Sequence, residues 1–334
     1  MKYNILVVDD EENNLQLFQR TFRKKYNVFP AKSGTEALDI LSNMRIDLII
    51  SDQRMPEMEG VEFLKRSMEL SPDSVRILIT GYSDAGAIVD AINNVKIHRY
   101  IKKPWIPEDL INTVDAALEL YQLNIDNQQL TLDLKDLFSG TITAITEALD
   151  AKDPFTFGRS KRVTYYALET GKSLNLSPLL LSELELAGLL HDIGMIGVPE
   201  TVLSKPGNLE VNEFDVIKRH VTIGVKILEE IKQLENVVDI VRTHHERFDG
   251  YGYPYGLKGE EIPICARIIA VADAYDGMVS DRAYRKGMSH EAAKEELKKQ
   301  ADTQFDSIIT DAFLAIIDQA RLEVDVISST KVLE

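Results

Sequence analysis

The sequence predicts two joined folds: an α/β, doubly wound parallel sheet of five strands over residues 1–120, and an all-α helical domain over residues 140–334. Three observations predict them. Short apolar runs alternate with segments of helical period at the start of the chain. Beyond about residue 140 apolar residues recur at helical spacing only, and a stretch without Gly or internal Pro joins the two regions. A chain of 334 residues has room for two domains.

The runs ILVVDD (5–10), IDLIISD (46–52), SVRILIT (74–80) and HRYIKKP (98–104) read as strands, and TEALDILSNM and VEFLKRSMEL as helices between them. Strands separated by helices pair in parallel, because each crossover packs back onto the sheet. From Pro107 to Asp136, positions Ile111, Val114, Leu118, Tyr121, Ile125, Gln128, Leu132 and Lys135 step by three and four, and most are apolar or aromatic. This spacing predicts a connecting helix over residues 107–140 whose seam pairs two copies as a coiled-coil homodimer. The competing reading is a single helix packed on its own domain. Further on, TITAITEALDA, PLLLSELELAGLL and ARIIAVADAYDGM carry the helical pattern.

Lys and Arg total 38 against 54 Asp and Glu, a net charge of −16. Such a surface repels a nucleic-acid backbone, so no DNA partner is expected. No apolar run approaches the roughly 18 residues of a membrane span, so no membrane partner is expected either. The single cysteine, Cys265, excludes an internal disulfide, and MKYNILVVDD enters a strand at once, so a cytoplasmic location is expected.

In an open parallel sheet, ligands bind outside the carboxyl ends of the strands. Asp9 and Asp10 close the first strand and Asp52 the third. Crowded carboxylates repel unless a cation sits among them, and oxygen ligands suit Mg²⁺. Thr80 ends the fourth strand with a hydroxyl, and Lys103 follows the fifth with an ammonium. Together they can receive a phosphoryl group: a carboxylate nucleophile, a metal, and two donors for the new oxygens. In the helical half lie four of the six histidines, His191, His220, His244 and His245. Asp192 follows His191 at the end of an apolar helix, and Asp273 sits within IIAVADAYDGM. A buried charge is normally paired or metal bound. Imidazoles with a carboxylate able to bridge suit Fe, Mn, Ni or Zn. The stretch HHERFDGYGYPYGLKGEEIP is too rich in Gly and Pro for a helix and reads as an ordered loop beside that site.

The strings VVDD, SDQRMP, ITG and YIKKPW resemble the receiver domain of two-component response regulators, a flavodoxin-like fold, over residues 1–120. The resemblance implies that Asp52 is the phosphoacceptor, charged by a sensor histidine kinase. It further implies that Asp9, Asp10 and the Arg54 backbone carbonyl hold Mg²⁺, that Thr80 and Lys103 contact the phosphoryl group, and that Tyr100 is the aromatic switch. The strings HDIGMIGVPE, LSKPGNL, the Gly-Tyr-Pro loop (Gly252, Tyr253, Pro254) and VADAYDGMVSDRAYR resemble the HD-GYP family of cyclic di-GMP phosphodiesterases, of the HD superfamily, over about residues 140–330. This second resemblance implies that His191, Asp192, His220, His244, His245 and Asp273 hold two metal ions, Fe or Mn first and Ni or Zn next, with Asp192 bridging. It also implies cyclic di-GMP as substrate, pGpG as product with further cleavage to GMP left open, diguanylate cyclase proteins as partners, and Arg282 and Arg285 as phosphate contacts.

Two positions depart from the family pattern. Met195 stands where the family has Lys, and Gly158-Arg159-Ser160 replaces Gly-His-Ser. Arginine does not ligate metals, and Arg159 is expected instead to offer its charge to the substrate. The expected function is a phosphorylation-controlled, metal-dependent phosphodiesterase. The alternative is a catalytically weak regulator that binds metal or nucleotide and signals through protein contacts.

Overall fold

The computed structural model describes residues 2–81, 95, 97–152, 158–203, 205, 207, 210–281 and 286–330. The chain divides into two compact units, Met1–Asp136 and Leu137–Glu334.

In the first unit, strands β1 (Asn4–Val8), β2 (Asn27–Ala31), β3 (Leu48–Asp52), β4 (Val75–Thr80) and β5 (Arg99–Lys102) form one sheet in the order β2-β1-β3-β4-β5. Every pairing is parallel. Helix α1 (Glu12–Phe22) leads from β1 to β2, and α2 (Gly34–Asn43) returns the chain to β3 on the far side of β1. The winding therefore reverses between β1 and β3, which opens a crevice at their carboxyl ends. Ser33 starts α2 by accepting the Glu36 amide at 3.2 Å.

Period-two alternation feeds two cores. Ile5, Val7, Leu48, Ile50, Ile77 and Ile79 pack against Phe18 and Phe22 of α1 and against Leu110, Val114, Leu118 and Tyr121 of α4 (Pro107–Lys152). On the other face Leu6, Val8, Ile49 and Leu78 meet Leu41 of α2 and Phe63 and Leu64 of α3 (Gly60–Leu70). Both faces are covered, which is why these strands read as continuous apolar runs.

Helix α4 runs for 46 residues, so TITAITEALDA continues it and is not a separate helix. The seam read from the sequence is partly consumed within the first unit: Val114, Leu118 and Tyr121 are buried in its core, with Ile111 and Ile125 packed beside them. Spacing by three and four marks an amphipathic face without saying what covers it. The leucines left open on α4 are Leu123, Leu130, Leu132, Leu134 and Leu137, each 57–68% exposed.

The second unit is built from α5 (Arg159–Ser173), α6 (Pro178–Leu190), α7 (Val211–Leu228), α8 (Glu235–Thr243), α9 (Ile264–Val279), α10 (His290–Lys299) and α11 (Ser307–Thr330), with short helical turns between them. Helix α9 is apolar almost all round, and Ile268, Ile269, Val271, Ala272 and Tyr275 are fully buried, so it forms the centre of this core. Ser177 and Pro178 start α6 as cap and first residue. Among the described residues no helix is long and apolar enough to cross a membrane.

One close approach sets the geometry of the second unit. The turn Ile193–Gly197 lies so near α7 that a Cβ on Gly194 would stand 1.8 Å from the His220 carbonyl oxygen and 2.6 Å from the Gly224 nitrogen. Only glycine permits this contact, which brings His191 and Asp192 onto His220. Gly140, on α4, has nothing within 4 Å of the same position. Gly194→Ala is therefore expected to destabilise the protein by about 1–3 kcal/mol or more. Gly140→Ala is expected to be neutral or to stabilise it by up to about 1 kcal/mol. Denaturant melts of the two variants check the opposite signs.

Candidate functional sites

At the crevice between β1 and β3, carboxylate oxygens of Asp9, Asp10 and Asp52 lie within 4.8 Å of one another. Asp9 and Asp52 are buried, whereas Asp10 is exposed. Lys103, just past β5, places its Nζ 2.8 Å from Asp52 Oδ1 and 3.5 Å from Asp9 Oδ2. Asp9 is held from behind, accepting from the Glu11 amide at 2.8 Å and from Asn14 Nδ2 at about 3 Å. Burial pushes the Asp52 carboxyl above its ordinary range and Asp9 adds to this, while Lys103 pulls the other way. Thr80 is fully buried at the end of β4, Tyr100 is 39% exposed on β5, and Arg54 is exposed two residues past Asp52. The pocket thus presents oxygens and one ammonium, a donor set that fits a hard cation.

In the second unit, two groups of ligand atoms each fall within 4.8 Å: Asp192, His220, His244 and His245, and His191, Asp192 and Asp273. Asp192 belongs to both. Its Oδ2 lies 3.2 Å from His191 Nε2 and its Oδ1 lies 3.5 Å from His220 Nε2. Asp273 Oδ1 is 3.3 Å from His191 Nε2. His191 and Asp192 follow α6, His220 comes from α7, His244 and His245 end α8, and Asp273 lies on α9.

The imidazoles are aimed before any ion is considered. Nδ1 of His191, His220 and His244 lies 2.7, 2.7 and 2.6 Å from the carbonyl oxygens of Gly188, Ile217 and Val241. A carbonyl only accepts, so each Nδ1 donates, and each Nε2 is turned inward. These Nε2 atoms are buried without a hydrogen-bond partner among the described residues. Carbonyl-oriented imidazoles with inward Nε2 and a shared carboxylate fit two borderline divalent ions.

The charges agree with that fit. Burial lowers the His245 imidazole to about 4 and His244 well below its ordinary value, aided by the neighbouring histidines, so both are neutral ligands. Burial also works to lower His191, yet the Asp192 and Asp273 carboxylates raise it to about 10. The position between them calls for positive charge, whether a proton on Nε2 or a metal ion that displaces it.

Arg159, the first residue of α5, reaches the acidic edge of this group. Its Nη2 is 2.6 Å from Asp273 Oδ1, its Nε 3.6 Å from Asp192 Oδ2 and its Nη1 3.5 Å from Asp276 Oδ2. Beside it, Arg159, Asp192 and Met195 line a small cavity. Lys152 Nζ binds the carbonyl oxygens of Met195, Ile196 and Val198 at 3.1, 2.6 and 2.8 Å. Arg282 and Arg285 lie outside the described residues.

In the Gly-Tyr-Pro loop, Tyr253 stacks on His245 with ring centroids 4.9 Å apart, and the Tyr253 amide donates to the His245 carbonyl at 3.2 Å. Gly252 has no room for a Cβ, which would stand 2.3 Å from the Arg247 nitrogen. Three residues of this region escaped the sequence reading. Buried Glu246 anchors the loop by accepting the amides of Tyr255, Gly256 and Leu257 at 2.7–3.2 Å. Asp276 and Arg162 pair at 2.7 Å. The available signal was spacing, since Asp276 and Arg162 stand one helical turn past Asp273 and Arg159.

Family models match both units. The family model of the response regulator receiver domain matches residues 5–115, and that of the HD domain matches residues 143–309. The chain is 31% identical to the probable cyclic di-GMP phosphodiesterase of Vibrio cholerae over 93% of this chain and 77% of that protein. It is 32% identical to the cyclic di-GMP phosphodiesterase response regulator RpfG of Xanthomonas campestris over 96% of this chain and 89% of that protein. It is 29% identical to the cyclic di-GMP phosphodiesterase of Thermotoga maritima over 93% and 90%. A receiver domain followed by an HD domain, and likeness to such proteins along nearly the whole chain, show that this chain belongs to the family of HD-GYP cyclic di-GMP phosphodiesterase response regulators.

Proposed function

We propose that the second unit hydrolyses cyclic di-GMP to linear pGpG, and then to GMP, under control of phosphorylation at Asp52. The observation that carries the phosphodiesterase reading is the pair of ligand groups sharing Asp192, with three imidazole Nε2 atoms turned inward. Two divalent ions held there would supply a water reactive at neutral pH and neutralise charge gathering on the phosphodiester. His220, His244 and His245 with Asp192 would hold one ion, and His191, Asp192 and Asp273 the other. The Gly188, Ile217 and Val241 carbonyls keep the imidazoles in the ligating tautomer. Tyr253 covers one face of His245.

A second reading, a regulator that binds metal and nucleotide with little turnover, is favoured by one observation. Arg159 spends its donors on carboxylates and Met195 carries no charge, so neither supplies a cation to a substrate phosphate. Chromatography of cyclic di-GMP incubated with the full chain, loaded in turn with Fe, Mn, Ni and Zn, separates the two readings. Turnover to pGpG is expected, and Asp192→Asn should lower it at least about a hundredfold, more than the loss of an outer-shell partner. Binding without turnover for every metal leaves the second reading.

In the receiver, an Asp52 carboxylate oxygen would take the phosphoryl group from the kinase histidine. Lys103, 2.8 Å away, and the Thr80 hydroxyl at the end of β4 would hold the new oxygens. Asp52→Asn should abolish the change in turnover or assembly that a small phosphodonor produces in the parent protein. An equal response in the variant refutes the control.

We propose a homodimer as well, through a stripe of α4 different from the seam expected from the sequence. Leu123, Leu130 and Leu137 recur every seven residues, with Leu134 between the last two, and all are exposed on α4. A heptad stripe is complementary to a second copy of itself. Light scattering of a Leu130→Glu, Leu137→Glu protein should report a monomer where the parent is a dimer.

A further inference from the structure

Arg159 makes ion pairs with both carboxylates of the His191 half of the centre. Its side chain is only 12% exposed, and three acidic residues converge on it: Asp192 from the turn after α6, and Asp273 and Asp276 from α9. The 2.6 Å bond from Nη2 ends on Asp273 Oδ1, the same oxygen that lies 3.3 Å from His191 Nε2. Its Nε faces Asp192 Oδ2, which is the oxygen that faces His191, while Asp192 Oδ1 faces His220. The guanidinium therefore sits against one half of the centre only. Asp276 is shared with Arg162, whose Nε and Nη2 hold both its oxygens at 2.7 and 3.1 Å, so Arg159 is steered toward Asp273 and Asp192.

We propose that Arg159 is a resident cation that makes the two halves of the metal centre unequal, the Asp192–His220–His244–His245 half binding its ion tightly and first, and the His191–Asp192–Asp273 half binding its ion weakly and second. The inference rests on the metal-centre reading above and deepens it. Two effects act in one direction. An ion between His191 and Asp273 needs the Oδ1 lone pairs that Arg159 uses, and a dication entering there meets a fixed positive charge in a poorly solvated site. The first half supplies three imidazoles and the Asp192 oxygen turned away from the guanidinium. Arg159 is a positioning residue in this account: it acts on the substrate through Asp273 and the second ion.

The test is metal binding, measured without turnover. Chelator-treated full-length protein is titrated with Mn²⁺ and separately with Zn²⁺ against a chromophoric chelator, with excess Mg²⁺ present to occupy the oxygen-only receiver pocket, and bound metal is counted by mass spectrometry. The parent should bind two ions in two resolved steps. Arg159→Met, of similar length and neutral, should tighten the second step by the roughly 10–100-fold typical of an outer-shell partner and leave the first unchanged. Arg159→Lys, which keeps the charge and loses the fork, should fall between them. Two equal steps in the parent overturn the inference even if neither variant folds. A second step unchanged or weakened in Arg159→Met also overturns it, while the metal centre stands. A parent that binds no ion, or binds as many ions after His244→Ala, overturns the metal centre and this inference with it.

Discussion

Three carboxylates placed in the interior of a helical unit, those of Asp192, Asp273 and Asp276, are the constraint around which the second unit is organised. An unpaired buried carboxylate costs several kcal/mol, so each must face positive charge or donors. The arrangement follows from that requirement. Helix α5 carries Arg159 and Arg162 one turn apart, α9 carries Asp273 and Asp276 at the same spacing, and the two pairs meet side to side. The ion pairs tie α5 to α9 where hydrophobic packing of Val163, Tyr166 and Ala167 already joins α5 to the core. His191 completes the ring of charge, because Asp192 and Asp273 raise its imidazole to about 10.

The close contact at Gly194 answers a second requirement, distance. Asp192 serves two ligand groups only if the turn that follows α6 reaches α7, and the His220 carbonyl lies where any side chain at residue 194 would begin. The Gly-Tyr-Pro loop repeats the device on the opposite side: Gly252 lets the loop lie against Glu246 and Arg247, and Glu246 fastens it by three backbone amides. Backbone contact at two glycines thus positions the His220, His191 and Tyr253 side chains, and both glycines fall within motif strings.

Much of the molecule was legible in the sequence because the informative residues act locally. Continuous apolar runs such as ILVV and LIIS announce strands covered on both faces, and the acidic residues at their carboxyl ends lie where the winding reverses. His191 with Asp192, and His244 with His245, stand out in the sequence because polar side chains follow helices that bury an apolar face. What escaped depends on partners far apart in the chain. The seam on α4 was misplaced because Val114, Leu118 and Tyr121 serve the sheet, and periodicity does not name the surface that a face will meet. The departure of Arg159 from the family pattern is visible in the sequence, whereas its three carboxylate neighbours, two of them more than a hundred residues away, are not.

The net charge of −16 takes on local meaning once the two acidic sites are compared. The receiver pocket offers carboxylate oxygens with Lys103 beside them, and an oxygen-only site favours a hard ion that keeps its waters. The second unit offers imidazole nitrogens with two carboxylates, a set that favours borderline transition ions over Mg²⁺. The two donor sets suit different classes of cation, and each site carries a basic side chain: Lys103, 2.8 Å from Asp52, and Arg159, 2.6 Å from Asp273. In both, the fixed cation faces a carboxylate of the candidate site. Under the functions proposed above, competition between a resident charge and an incoming one is common to both sites. The difference lies in the side chain chosen. A lysine on a flexible stem can follow a new phosphoryl oxygen, whereas a planar guanidinium held by three carboxylates stays where it is.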